Sequence, residues 1–175
     1  MKIFLSAIFL FGACAFSSYA RADWAATVGQ YQCLEVEVFQ VDRDKASNRK
    51  EKRAAKSPEE GLLRLQQKIV SAIQEEKIIT EVNQAGRPSC SGKALIVGGT
   101  ISDYNVGSVA KTFLIGLGAG KTKIVAETYI KDKQTGEILL QKRIAESGKV
   151  AIGGTEPPVE KQFASNVGRF VHKGK

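Results

Sequence analysis

Between Tyr31 and Val41 the chain reads YQCLEVEVFQV, with Leu34, Val36 and Val38 alternating against Glu35 and Glu37. A period of two places the apolar residues on one face of a strand and the acids on the other. A different rhythm begins at Ser57-Pro58-Glu59-Glu60. Ser57 can cap a helix, Pro58 suits its first turn, and Glu60 stands where a capping box needs it. Leu62, Leu65, Ile69 and Ile73 then recur at three and four residues, widened by Leu63 and Val70, which predicts an amphipathic helix to about Glu76. Asn83 to Pro88 reads as a loop leading to Cys90. Ala94 to Ile101 is nearly all apolar and predicts a buried strand, in which Gly98 and Gly99 mark a bulge or a close approach.

Val106 to Gly120 is an apolar, glycine-rich connector. Lys123 to Lys131 and Glu137 to Ala145 predict two more strands, joined by Asp132-Lys133-Gln134-Thr135-Gly136. That is hairpin chemistry, with Gly136 able to take a positive φ. From Pro157-Pro158 a last helix presents Val159, Phe163, Val167 and Phe170 on one face. The order β-α-β-β-β-α specifies an α+β fold. A small mixed or antiparallel four-stranded sheet carries two amphipathic helices on one face.

The first twenty residues follow neither rhythm. Lys2 precedes an apolar run from Ile3 to Phe16, and Ser18-Tyr19-Ala20 supplies the small residues a signal peptidase reads. The run is too short for a permanent span, so residues 1–20 are read as a signal peptide and 21–175 as a single domain. Leu10-Phe11-Gly12-Ala13-Cys14 offers a second processing route, because Gly-Ala before a cysteine resembles a lipobox. Phe11 departs from the usual small aliphatic residue there. The expected location is the periplasm, or the outer membrane if Cys14 is lipidated.

Either route leaves Cys33 and Cys90, an even pair in an oxidising compartment, and a disulfide is the expectation. Closing so long a loop would restrict the unfolded chain by about 4 kcal/mol. Charge adds a further constraint. The formal net charge is +8, and residues 1–20 contribute Lys2 and no acid, so the exported domain keeps +7. Nucleic acid is not expected as a partner, because the compartment holds little and the aromatics are not interleaved with the basic residues. An envelope protein or an anionic envelope surface fits better.

Chemical motifs are sparse. Gly116-Leu117-Gly118-Ala119-Gly120-Lys121-Thr122 ends like a phosphate-binding loop but is one residue short of the pattern, and a strand rather than a helix follows it. Ser108-Val109-Ala110-Lys111 pairs a serine with a lysine, yet the supporting motifs of serine–lysine enzymes are missing. His172 is the single histidine, close to the C-terminus, and the two remaining cysteines stand far apart, so no zinc constellation forms. The sequence therefore predicts no catalytic residue, no metal site and no cofactor. One anion site is conceivable: Gly118 and Gly120 as an amide nest, with Lys121 and Lys123 (and Lys111 nearby) supplying charge.

Three segments carry a family resemblance. Gly98-Gly99-Thr100-Ile101-Ser102-Asp103-Tyr104, Gly116 to Lys123, and Asp132-Lys133-Gln134-Thr135-Gly136-Glu137 together resemble the domain-of-unknown-function 4410 family of exported bacterial proteins and lipoproteins. The resemblance implies an envelope location and a sheet-and-helix domain, and it brings no catalytic residues. The reading at this level is a non-enzymatic envelope protein that binds another surface. The alternative is a small-anion or small-ligand module built on residues 116–123.

Two outcomes are expected. N-terminal sequencing of the exported protein should begin at Arg21, and a blocked Cys14 would show the lipid route instead. Denatured but unreduced protein should react with no thiol reagent, whereas two labelled cysteines per chain would remove the disulfide.

Overall fold

The acid-flanked segment after Tyr31 is the spine of a six-stranded mixed sheet. The computed structural model describes residues 24–42, 58–87, 92–105, 121–149 and 158–175. Helix α1 spans Trp24–Val28, α2 Pro58–Glu75 and α3 Pro158–Lys173. The strands are β1 Cys33–Val36, β2 Gln40–Val41, β3 Glu81–Gln84, β4 Ala94–Asn105, β5 Lys121–Asp132 and β6 Ile138–Lys149. Their order is β3-β1-β4-β5-β6, with β2 continuing β1 along β4. The β1 pairings with β3 and β4 are parallel, and those from β4 to β6 are antiparallel.

The α+β class holds, with more elements than the pattern predicts. Two extra strands and α1 account for the difference. β3 occupies Glu81–Gln84, part of which reads as loop, because an edge strand with only Val82 buried shows no alternation. The first strand is split as well. Val36 lies opposite Val97 and Gln40 opposite Thr100, so three residues (37–39) face two, Gly98 and Gly99. This one-residue bulge reverses the alternation. Val38, expected inside, is exposed, and Phe39 is buried in its place. The glycines permit it, since a Cβ on Gly99 would come 2.5 Å from the Phe39 ring. Phe39 then meets Phe163 of α3 edge-on, with ring centroids 5.9 Å apart.

Both long helices cover the same sheet face and pack on each other. Leu65, Ile69 and Ile73 of α2 and Val159, Phe163, Val167 and Phe170 of α3 meet Leu34, Val36, Val97, Ile101 and Ile130 of the sheet. The hairpin forms as expected, with Gly136 at φ 73°. Helix α3 does not fray at its end. The Trp24 indole N–H donates to the Val171 carbonyl at 2.7 Å, and Gly174, at φ 63°, donates its N–H to Phe170.

One charge lies wholly inside. Glu160, in the first turn of α3, has no exposed surface. It accepts from Arg64 at 3.1 and 3.0 Å, Lys68 at 3.0 Å and the Tyr104 hydroxyl at 2.7 Å. Burial pushes its carboxyl pKa up, but the bonds from Arg64, Tyr104 and Lys68 outweigh that and hold it below the ordinary value. The Tyr104 phenol moves the other way, raised first by burial and then by Glu160. A carboxylate with a depressed folded pKa contributes stability that is present above its unfolded pKa near 4.5 and lost as pH falls through the folded value. Glu160→Gln should therefore cost on the order of 3 kcal/mol at neutral pH. That corresponds to a melting temperature lower by roughly 6–12 °C. The variant should also show a flatter acid-denaturation profile below pH 4.5. Equal stability at neutral pH with an unchanged acid limb would contradict this account.

Candidate functional site

Several residues singled out in the sequence lie outside the described residues: residues 1–20 with Cys14, and also Cys90, Lys111, Gly118 and Gly120. Of the glycine-rich segment, Lys121 opens β5, and Lys123 lies further along it. The Lys123 ammonium is 3.0 Å from the Asp103 carboxylate, so a neighbouring strand already answers its charge. Cys33 opens β1 and is fully buried. His172, in the last turn of α3, has Nδ1 2.6 Å from the Glu76 carboxylate.

The sheet face away from the helices is charged, and its charges are matched across strands. Lys133 meets Glu35 at 2.6 Å, and Lys131 meets Glu37 at 3.1 Å. Glu37 also accepts from the Tyr129 hydroxyl at 2.7 Å. Burial, followed by Glu37, pushes that phenol up to about 12. Arg143 stands 3.8 Å from Glu127. The sequence pattern placed Glu35 and Glu37 together on one strand face; there Glu35 is buried between β3 and β4 and paired with Lys133. At the hairpin Asp132 accepts from the backbone N–H of Thr135 and Gln134 and from the Tyr31 hydroxyl at 2.8 Å. The Thr135 and Tyr31 bonds lead in holding its carboxyl below the ordinary range.

Unmatched charge collects elsewhere. A groove of about 670 Å³ runs between edge strand β6 and α3. Lys142 lines it from the strand; Arg169, Lys173 and Lys175 line it from the helix and the residues after it. All four are exposed, and none forms an ion pair or hydrogen bond among the described residues. Glu146 is the acid in the groove, and Asn166 donates a short hydrogen bond to it. Among the described residues β6 pairs with β5 alone, so the outer backbone edge of a twelve-residue strand borders the groove. The arrangement can attract an extended anion along the strand, with backbone donors and long cationic arms within reach.

Sequence reasoning missed these residues. The signal was present: Asn166, Arg169 and Lys173 fall at i, i+3 and i+7, one polar stripe of a helix whose other face is apolar. What the sequence lacked was the edge position of β6, which brings Lys142 beside that stripe.

Among the described residues, no three His, Cys, Asp or Glu side chains group as a metal site. None of the described helices is long and apolar enough to cross a membrane.

Comparisons with known proteins agree with this architecture. A family model described as a domain of unknown function (DUF4410) matches residues 31–152, well over half of the chain. No curated protein matches the sequence. A single-substitution variant of the PelC dodecamer from Paraburkholderia phytofirmans is similar in structure, with a TM-score of 0.53 at 9% identity over 83% of this chain and 90% of that one. A second PelC dodecamer structure from the same organism gives 0.50 at 10% identity, over 79% and 86%. A minor lipoprotein from Acinetobacter baumannii gives 0.43 at 12% identity, over 81% and 92%. At such identities the likeness to solved structures shows the fold alone. The family model, running from Tyr31 ahead of β1 to just beyond β6, shows more: the chain belongs to the domain-of-unknown-function 4410 family.

Proposed function

We propose that this is an exported, non-enzymatic envelope protein that binds an anionic partner through the groove between β6 and α3. The observation that carries the reading is the set of four exposed cations, Lys142, Arg169, Lys173 and Lys175, which form no ion pair among the described residues and lie beside the edge strand β6. The non-enzymatic part rests on how the acids are used. Glu160, Asp132, Glu35 and Glu37 are each committed to cations or phenols, an arrangement that fixes charge. Periplasmic or outer-membrane location follows from the leader at residues 1–20.

A Cys33–Cys90 disulfide belongs to the same reading. The Gln32 N–H donates to the Lys93 carbonyl at 2.9 Å, so the chain around residue 92 runs beside the start of β1. Cys90 is two residues upstream of Gly92 in the chain, a separation that permits a bridge to Cys33.

A second reading is favoured by a different observation. The PelC structures are dodecamers, and among the described residues this sheet ends in two unpaired edges, β3 and β6. Joining β3 of one copy to β6 of the next would continue the sheet head to tail and close into a ring if the rotation permits. Mass photometry distinguishes the two readings, since a particle at the monomer mass of 18.9 kDa or slightly less excludes the ring.

Titration with fluorescent polyglutamate tests the anion reading. Saturable binding is expected at low salt, weakening as salt rises. Arg169→Glu with Lys173→Glu should abolish it. Arg87→Glu, at the opposite edge beyond β3, should leave it within about twofold, because a distant rim charge contributes little. Binding that survives the groove reversal would remove the groove from the function. A phosphate-induced thermal shift lost in Lys121→Ala would instead favour the glycine-rich segment.

A further inference from the structure

We infer that the end of the domain carrying the last turn of α3 faces an anionic phospholipid surface, with Arg169, Lys173, Lys175 and Lys142 meeting the headgroup phosphates. This rests on the groove as the anion-binding surface and names its partner.

The point where the chain joins the fold selects a membrane over an acidic protein. The described structure begins at Trp24, and that residue is fastened to the turn that carries the cations. Its indole N–H holds the Val171 carbonyl at 2.7 Å. Its ring lies against Gly174, where an added Cβ would come 2.4 Å from it. Lys173 and Lys175 flank that glycine. The chain therefore enters the described fold at Trp24, beside the basic groove, and both processing routes would strengthen the same end. Cleavage after Ala20 leaves an α-amino group and Arg21 within three residues of Trp24. Lipidation of Cys14 leaves ten residues to Trp24, a reach of at most about 35 Å. An acyl anchor on so short a tether would hold this end of the domain close to the bilayer. One acyl chain binds only marginally, and a basic patch is the usual second signal.

The patch suits a surface better than a pocket ligand. Its cations are long, exposed side chains on the rim of an open groove, and they spread from mid-strand to beyond the helix end. Such an arrangement matches many weakly held phosphates rather than one tightly enclosed anion. Trp24 is half-buried, an amphipathic ring at the same end.

The test is partition of the full chain, as the cell processes it, onto vesicles containing phosphatidylglycerol and onto vesicles of phosphatidylcholine alone. An acyl chain adds equally to both, so the difference isolates charge. The expected result is tighter partition on the anionic vesicles, with the excess shrinking as salt rises. Each lysine or arginine near such a surface is worth about fivefold, so Arg169→Glu with Lys173→Glu should reduce the excess at least about 25-fold. Arg87→Glu should leave it nearly intact. Equal partition on the two vesicle types, an excess that survives the double variant, or equal loss in Arg87→Glu would overturn the inference. Inorganic phosphate that competes the excess away would also overturn it, by showing a free-anion site. Polyglutamate binding that depends on Arg169 and Lys173, without any vesicle preference, would overturn the membrane assignment and leave the groove reading standing. If neither probe binds, both fail.

Discussion

Glu160 has no solvent to stabilise it, so its charge persists only while Arg64, Lys68 and Tyr104 keep their positions around it. Two of those residues belong to α2 and one to β4, while Glu160 belongs to α3. Apolar packing alone would let two helices slide on a sheet at small cost, because leucine, isoleucine and valine interchange partners readily. A buried carboxylate with three donors does not tolerate sliding. Each lost donor leaves charge unanswered in a poorly polarisable interior. The network therefore sets the register of α3 on the domain. Everything C-terminal on that rigid helix follows, including Phe163 against Phe39 and, about 9–15 Å further on, Arg169 and Lys173.

The second constraint is the bulge between β1 and β2. Placing three residues against Gly98 and Gly99 turns Phe39 inward, which supplies the ring that Phe163 packs on. It also interrupts the backbone ladder, and α2 answers the break. The carbonyl of Val36, the last residue of β1, accepts from the Ala85 N–H at 2.9 Å and also from the Gln66 side chain at 2.7 Å, which ties α2 to the strand where the ladder breaks. On the opposite face a Cβ at Gly98 would collide with the Glu37 carboxylate and the Tyr129 hydroxyl, which occupy that space. The two glycines thus serve both faces at once. One admits an aromatic ring to the core, and the other admits a charged pair to the outer face.

Much of this was legible in the amino-acid order. Pro58-Glu59-Glu60 and the Leu62–Ile73 stripe marked α2 almost to the residue, and Val159, Phe163, Val167 and Phe170 marked the buried face of α3. Gly136 pointed to the hairpin, and Gly98-Gly99 pointed to an irregularity. The failures share a cause. Strand alternation predicts which face is buried only if the register is unbroken, so a bulge that depends on tertiary packing inverted Val38 and Phe39. β3 escaped notice because a polar edge strand is defined by its neighbour β1 and not by its own composition. The groove escaped for a similar reason. Its cations come from Lys142 and from residues 169–175, and only the order of strands in the sheet makes them adjacent.

Net positive charge by itself says little about function, since a soluble basic surface needs no partner. Its distribution says more. The sheet's outer face spends its lysines and arginines on acids of the next strand, which leaves that face nearly neutral at the scale of a Debye length, about 8 Å at physiological ionic strength. Among the described residues, four unmatched cations then gather along β6 and at the end of α3. Arg169 and Lys173 are carried on a helix whose final turn is capped by Gly174 and braced by Trp24, so the backbone beneath them is ordered before any partner arrives. Preorganised charge loses less entropy on binding than a flexible basic tail, and it orients the whole domain as it approaches an anionic surface. Lys173, in the last turn of α3, also complements the helix dipole, which favours a positive side chain at that end of the helix.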